Sequence, residues 1–287
     1  MMRSKFKMIA LGRHSLAPAV FVAVVLLRVT ATPALSADSS DGSKTEAEAL
    51  KIMQESRAAY AALSSYSDTG TSETEMGRGR TVRTVFNIQL ARTNLYRIEW
   101  EQSLTLNTAT TRATTSSRGA AWSAGDGDYY LGDHGPEKKK GIAITMAAAS
   151  GVSAAMVPST FFDLNYGMSL KQSVTEGHDL VRLKDESVGS VNCYVISGKA
   201  SRKDMTATET RWIGKDDHLI HKAVTEIQHS KLPPKHEGVE NPIQEAMHAE
   251  ERELVRKPTI ITEMHDNIVL NKTFIIKDFI HEEPDAK

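Results

Sequence analysis

The chain has 287 residues, with 35 Lys and Arg against 36 Asp and Glu, for a formal net charge of -1. That balance excludes the basic stripe of a nucleic-acid binder and the polybasic run that holds a protein to an anionic membrane surface. At 40% hydrophobic and 25% charged, the composition is that of an ordinary globular protein.

The first residues read as an export leader. Arg3, Lys5, Lys7 and Arg13 make a basic front, Leu16 to Leu27 is almost wholly apolar, and the small residues of TPALSA follow. This pattern predicts a signal peptide over residues 1–37, cut after Ala37. The apolar run is shorter than the ~20 residues a membrane span needs, and Arg28 follows it directly. No cysteine sits near the cut, so no lipobox is present, and residues 38–287 are expected as one periplasmic domain. Cys193 is the sole cysteine, which rules out an intramolecular disulfide.

Ser43-Lys44-Thr45-Glu46 reads as a capping box, and Ala47, Leu50, Met53, Tyr60 and Leu63 keep helical spacing up to Ser64-Ser65. Strand-type segments follow: SYSDTGTSETEM, TVRTVFNIQLA, YRIEWEQ, SLTLNTATTRATT and AAWSAGDGDYYLG. Lys138-Lys139-Lys140 is expected in a solvated loop. The Ala- and Met-rich stretch ITMAAASGVSAAMVPSTFFDLNYG predicts one or two short helices broken near Gly151 and Pro158. Such a segment either packs a core or covers a cavity. Strands resume in SLKQSVTE, HDLVRLKDESV, SVNCYVISGKA, TATETRWIG and HLIHKAVTEIQ, with a turn at Lys215-Asp216-Asp217. A surface helix is expected over 241–256, then two closing strands in IITEMHDNIVL and TFIIKDFI. The scarcity of helices between strands excludes a parallel βαβ series. The predicted fold is mainly β: a half-open, strongly curved antiparallel barrel with an N-terminal helix.

From Thr81 to Trp100 the even positions are Val82, Thr84, Phe86, Ile88, Leu90, Tyr96, Ile98 and Trp100, a two-residue alternation with one apolar face. Arg92 falls on that apolar parity. Either a bend near Thr93-Asn94 turns it to solvent, or it projects into the interior.

No motif for chemistry is legible. The chain lacks a G-x-S-x-G elbow, a phosphate loop and H-E-x-x-H, which disfavours an exported hydrolase. Its ten histidines show no ligand spacing that asks for a metal, no cofactor is expected, and Cys193 reads as a buried, inert thiol. The informative signal is aromatic. Trp100, Trp122 and Trp212 lie in separate strands, either filling a core or lining a concave face for an apolar ligand.

In the order of its motifs the mature chain resembles the LolA-like superfamily, the periplasmic carriers of outer-membrane lipoproteins. The opening helix ending in AAYAALSSYSDTG, the LARTNLYRIEW stretch, RWIGKDDHLIHKAVTE and DNIVLNKTFIIKDFIHEEPDAK carry the resemblance. It implies a half-open barrel closed by a helical lid, an acyl chain in an apolar cavity, and no chemistry. Arg92 matches the Arg of the family's Arg-Pro motif, whose side chain bonds lid backbone, although Thr93 stands in place of the Pro. On this resemblance the cavity comprises Phe86, Ile88, Leu90, Arg92, Tyr96, Trp100, Trp122 and Trp212. The lid spans about 145–164, with Met146, Met156, Val157, Phe161 and Phe162 facing inward. The implied protein is a monomeric carrier of a lipid or lipoprotein acyl chain. The alternative is an envelope sensor that uses the same barrel to meet a protein partner.

Overall fold

Two-residue alternation carries most of the chain into one antiparallel sheet of eleven strands. The computed structural model describes residues 40–76, 79–107, 112–132, 135–149, 156–164, 179–202, 205–229 and 257–282. The expected signal peptide, the strand in SLKQSVTE and the surface helix over 241–256 lie outside the described residues.

Helix α1 spans Ser40–Ala62 and is followed by β1 (Ser65–Met76), β2 (Arg80–Ala91), β3 (Leu95–Asn107), β4 (Arg112–Ser123), β5 (Asp128–Gly132) and β6 (Gly135–Lys139). Two short helices, α2 (Ile142–Ala148) and α3 (Met156–Phe161), precede β7 (Leu180–Val188), β8 (Val191–Arg202), β9 (Met205–Gly214), β10 (Ile220–His229) and β11 (Thr259–Leu270). The spatial order is β6-β5-β4-β3-β2-β1-β11-β10-β9-β8-β7. Two meanders are therefore joined by the pairing of β1 with β11, in which Tyr66 stands opposite Leu270. The sheet is not closed: β6 and β7 are its edges. Both edges carry features that discourage further pairing, the lysines of β6 and a register irregularity between Leu183 and Glu186 of β7.

Four sequence expectations are corrected. YRIEWEQ and the start of SLTLNTATTRATT form one strand, because every residue of β3 from Leu95 to Leu106 keeps a partner on β2. Lys138 and Lys139 belong to β6 and not to a loop. TFIIKDFI is not a strand; it carries a single 3-10 turn at Ile276–Phe279. Pro158 lies within α3 and does not break it. In the first turn of a helix a missing N–H costs nothing.

The core forms on the concave face. Inward residues Phe86, Ile88, Leu90, Tyr96, Ile98 and Ala121 join Ala49, Ile52, Met53 and Tyr60 of α1, and Leu63 just past it, in one apolar cluster. Trp100 packs against it and lies over Gly119, where a Cβ would fall 2.3 Å from the indole. Gly119→Ala is thus expected to push Trp100 off its site and cost about 1–3 kcal/mol. A fall of several degrees in Tm and a shift in tryptophan emission would register it; an unchanged Tm would show that the indole moves freely.

Candidate functional site

The β2–β3 hairpin places the guanidinium. Ala91 pairs with Leu95, leaving Arg92, Thr93 and Asn94 as the loop. Thr93 and Asn94 both have φ of 67°. This is the left-handed region, unfavourable for a β-branched residue and closed to proline. The loop therefore cannot hold the Arg-Pro pair of the motif that the sequence resembles, and Thr93 in that place follows from the turn geometry.

The loop curls back over the concave mouth, and the Arg92 backbone N–H donates to Ser64 O at 2.9 Å. Its side chain donates three further bonds: Nε to Leu63 O at 2.9 Å, Nη2 to Tyr60 O at 2.6 Å and Nη1 to Phe161 O at 2.7 Å. The guanidinium carbon also lies 4.1 Å from the centroid of the Phe161 ring. One planar cation thus binds carbonyls at the C-terminal ends of both α1 and α3, where the helix dipoles favour positive charge. Burial pulls the guanidinium's pKa below its ordinary value without neutralising it. Arg57 on α1 adds a second tie, an exposed ion pair with Asp163 at 2.9 Å just past α3.

The segment expected as a lid packs on the same concave face. Met146, Met156, Val157 and Phe161 are buried in the main cluster, and Phe162 packs against it. Phe162 meets the Tyr96 ring edge-on at 6.1 Å. Tyr96 in turn donates its hydroxyl to Asp128 at 2.7 Å. Burial, together with the Asp128 carboxylate, raises the Tyr96 pKa well above its ordinary value. The two helices fill the interior among the described residues, so the concave face is packed with side chains.

Of the expected cavity residues, Phe86, Ile88, Leu90, Tyr96 and Trp100 point inward, and Arg92 sits at the mouth. Trp122 and Trp212 do not join them. Trp122 stands opposite Arg97 in the register, so it lies on the outer face, stacked on Tyr129 at 5.4 Å and beside His281 at 5.1 Å. Trp212 stands opposite Val195 and forms a separate outer cluster with Cys193 and Val195. Its indole donates to Glu186 at 2.8 Å, and Lys222 lies 4.2 Å over its ring. Ala121 and Ile213 take the inward places beside them. Tryptophan content alone does not reveal parity, and the register assigned these two rings to the other side. Cys193 is a buried free thiol whose pKa is raised by burial.

The sequence reading missed a buried polar set on the inner face. Asp68, Glu263 and His265 are each at most 3% exposed. Tyr66 donates its hydroxyl to Asp68 Oδ2 at 2.7 Å, and His265 Nδ1 lies 2.5 Å from the same oxygen. His265 Nε2 lies 2.8 Å from Glu263 Oε1. Burial alone would lower the imidazole's pKa, but the charge and bond of Asp68, with the Glu263 carboxylate close by, outweigh it and raise it to about 10. Burial pushes the Glu263 carboxyl up, opposed by His265. Glu209 and Arg211 on β9 form a second buried pair at 2.6 Å. The available signal was the spacing: Glu263/His265 and Glu209/Arg211 each lie two apart, on one face of a strand. Among the described residues no group of three His, Cys, Asp or Glu is placed to hold a metal ion.

The outer face carries a groove of about 590 Å³ lined by Thr69, Val85, Asn87, Glu99, Arg118 and Leu131, among others. The C-terminal segment borders it: Arg97 donates to Ile280 O at 3.2 Å, and His281 Nδ1 lies 2.9 Å from Glu99.

These features define a class: an open antiparallel barrel whose apolar concave face is covered by helices, with Arg92 bonding main-chain carbonyls of two of them. No family model and no curated protein matches the chain. Among solved structures it is similar to LprF from Mycobacterium bovis, with 11% identity, a TM-score of 0.40, and coverage of 80% of this chain and 96% of that one. A DUF1329 family protein from Desulfovibrio piger gives 10% identity, a TM-score of 0.34 and coverage of 85% and 98%. A LolA superfamily protein from Nitrosomonas europaea gives 8%, 0.28, and coverage of 81% and 97%. At scores this low the likeness assigns neither ligand nor partner.

Proposed function

We propose that this protein is a periplasmic binding protein that holds the acyl chain of a lipid or lipoprotein in its barrel, and that helices α2 and α3 are the lid that yields to it. The observation that carries this reading is the Arg92 side chain, which bonds α1 and α3 together across the mouth. A guanidinium bound to three main-chain carbonyls is a reversible tie, because water can replace each bond when the lid lifts. The residues the lid would uncover are Phe86, Ile88, Leu90, Tyr96 and Trp100. The lid's own Met146 and Met156 have the flexible thioethers suited to repacking against a chain of variable shape. Such a protein works by binding alone, as a monomer and without a cofactor.

Gentle isolation from the native host, followed by solvent extraction and mass spectrometry, tests this. An acyl-bearing lipid in near-stoichiometric amount is the expected result. Protein that yields no lipid, and that binds no bis-ANS either as wild type or as Arg92→Leu, would overturn the reading.

A second reading, an envelope interaction module on the same fold, draws on the outer face. Ile275 and Ile276 in the C-terminal segment are 64% and 61% exposed, as apolar anchors for a protein partner would be. A stable protein complex isolated with an empty barrel would favour it.

A further inference from the structure

The concave face is graded along the barrel axis. Nearest the Arg92 mouth the register aligns Tyr66, Leu90 and Tyr96. Two residues further in, Ile88 and Ile98 stand level with Asp68. The next layer sets Phe86 and Trp100 beside Gly70, with His265 opposite Gly70. Beyond it lie Ser72, Thr84 and Glu263, with Arg211 across from Ala223 on the far side. An apolar end at the mouth thus gives way to a polar end in the interior.

The polar end is incompletely satisfied. Both donors to Asp68, the Tyr66 hydroxyl and the His265 ring, use the same oxygen, and Asp68 Oδ1 has no hydrogen-bond partner. Neither oxygen of Glu263 has one: the approach of His265 Nε2 to Oε1 is close but poorly aligned for a bond. Glu263 is 1% exposed and Asp68 2%. Buried carboxylate oxygens without donors are costly, and native proteins supply a partner for them. Two carboxylates here share one imidazole, so even with His265 protonated the set has more acceptor capacity and more negative charge than its donors match.

We propose that this set is a head-group site, in which Glu263 and Asp68 receive the N–H donors of an ammonium-headed amphiphile while its alkyl chain lies along Ile88, Leu90, Tyr96 and Ile98. The assignment rests on the acyl-chain reading above and names the chemistry of the ligand's polar end. A carboxylate-headed amphiphile brings acceptors to a place that already has too many, so it is selected against by repulsion as well as by the lack of donors.

Calorimetric titration of residues 38–287 with dodecylamine, dodecyltrimethylammonium and laurate at pH 7, each below its micelle concentration, tests the site. Dodecylamine should bind at least about tenfold more tightly than laurate, the difference of one charge-assisted bond. It should also exceed dodecyltrimethylammonium, which has the charge but no N–H. Glu263→Gln, which keeps the shape and removes the charge, should bring dodecylamine and laurate to within about threefold. Laurate binding as well as dodecylamine overturns the head-group site and leaves the apolar-chain reading standing. Binding of none of the three overturns both. A Glu263→Gln protein that keeps the full preference overturns the assignment to Glu263. If that variant does not fold, the order of the three amphiphiles on the wild type decides the matter.

Discussion

Replacing Arg92 by leucine should leave the sheet folded and loosen the helices over its mouth. Three bonds from a charged donor are lost, each worth about 1.5–3 kcal/mol, and part of that is recovered because water reaches the freed carbonyls and leucine adds apolar area. A net loss of about 2–4 kcal/mol from the closed state is expected. Amide exchange in 142–149 and 156–161 should then quicken by roughly 30- to 1000-fold, while Phe86, Ile88 and Leu90 stay protected. Bis-ANS should bind more tightly, and a bound acyl chain should leave more slowly, because closure no longer competes with it. Arg92→Lys should not rescue the closed state: an ammonium is a compact point charge and cannot span carbonyls on two helices and keep its place over the Phe161 ring. Arg97→Leu is the control. On the outer face its Nε lies 3.7 Å from Glu99, and it donates to Ile280 O at 3.2 Å. A change under about 1 kcal/mol is expected there. Exchange in α2 and α3 that is the same in wild type and Arg92→Leu would sink the idea that this residue holds them.

His265→Leu should cost more. It leaves Asp68 and Glu263 as buried carboxylates with no cation between them, a loss of about 3–5 kcal/mol. For a domain of this size that is a fall in Tm of roughly 6–20 °C. The pH dependence carries the sharper test. The imidazole's pKa is raised from its ordinary 6.5 to about 10 in the folded protein. The folded state therefore keeps a proton that the unfolded chain releases above pH 6.5. The stability this proton supplies is complete below pH 6.5 and is lost as pH rises to about 10. Urea midpoints measured from pH 6 to pH 10 should fall steeply for the wild type. They should fall much less for His265→Gln, which can still bond Asp68 but does not titrate. Parallel slopes for the two proteins would show that the proton is not held there.

Much of this architecture is written in the sequence. The alternation from Val82 to Trp100 fixes which side of β2 and β3 is buried, since a side-chain period of two leaves only one way to hide Phe86, Ile88, Leu90, Tyr96 and Ile98. It also marks Arg92 as anomalous, a guanidinium on apolar parity at the end of a strand. Local signals at Ser64-Ser65 also mark the end of the helical run, just past Ala62 where α1 stops, and the Ala- and Met-rich composition separates the two short helices from the strands around them.

Everything that depends on register was decided by the tertiary structure. Trp122 and Trp212 look like cavity residues in the sequence, yet pairing with Arg97 and Val195 turns them outward, and no local pattern within AAWS or TRWIG carries that information. TFIIKDFI has strand composition, but β1 already has both its neighbours, β2 and β11, so the segment packs across the outer face as a turn, with Phe279 buried. The buried polar set is the plainest case. Asp68 lies 197 residues from His265 in sequence, and they meet only because β1 pairs with β11. Composition and periodicity determine how one strand divides its faces. Which faces meet, and which charge is left facing which, is set by long-range pairing, because that pairing is chosen by the sum of contacts over the whole sheet and not by any one segment.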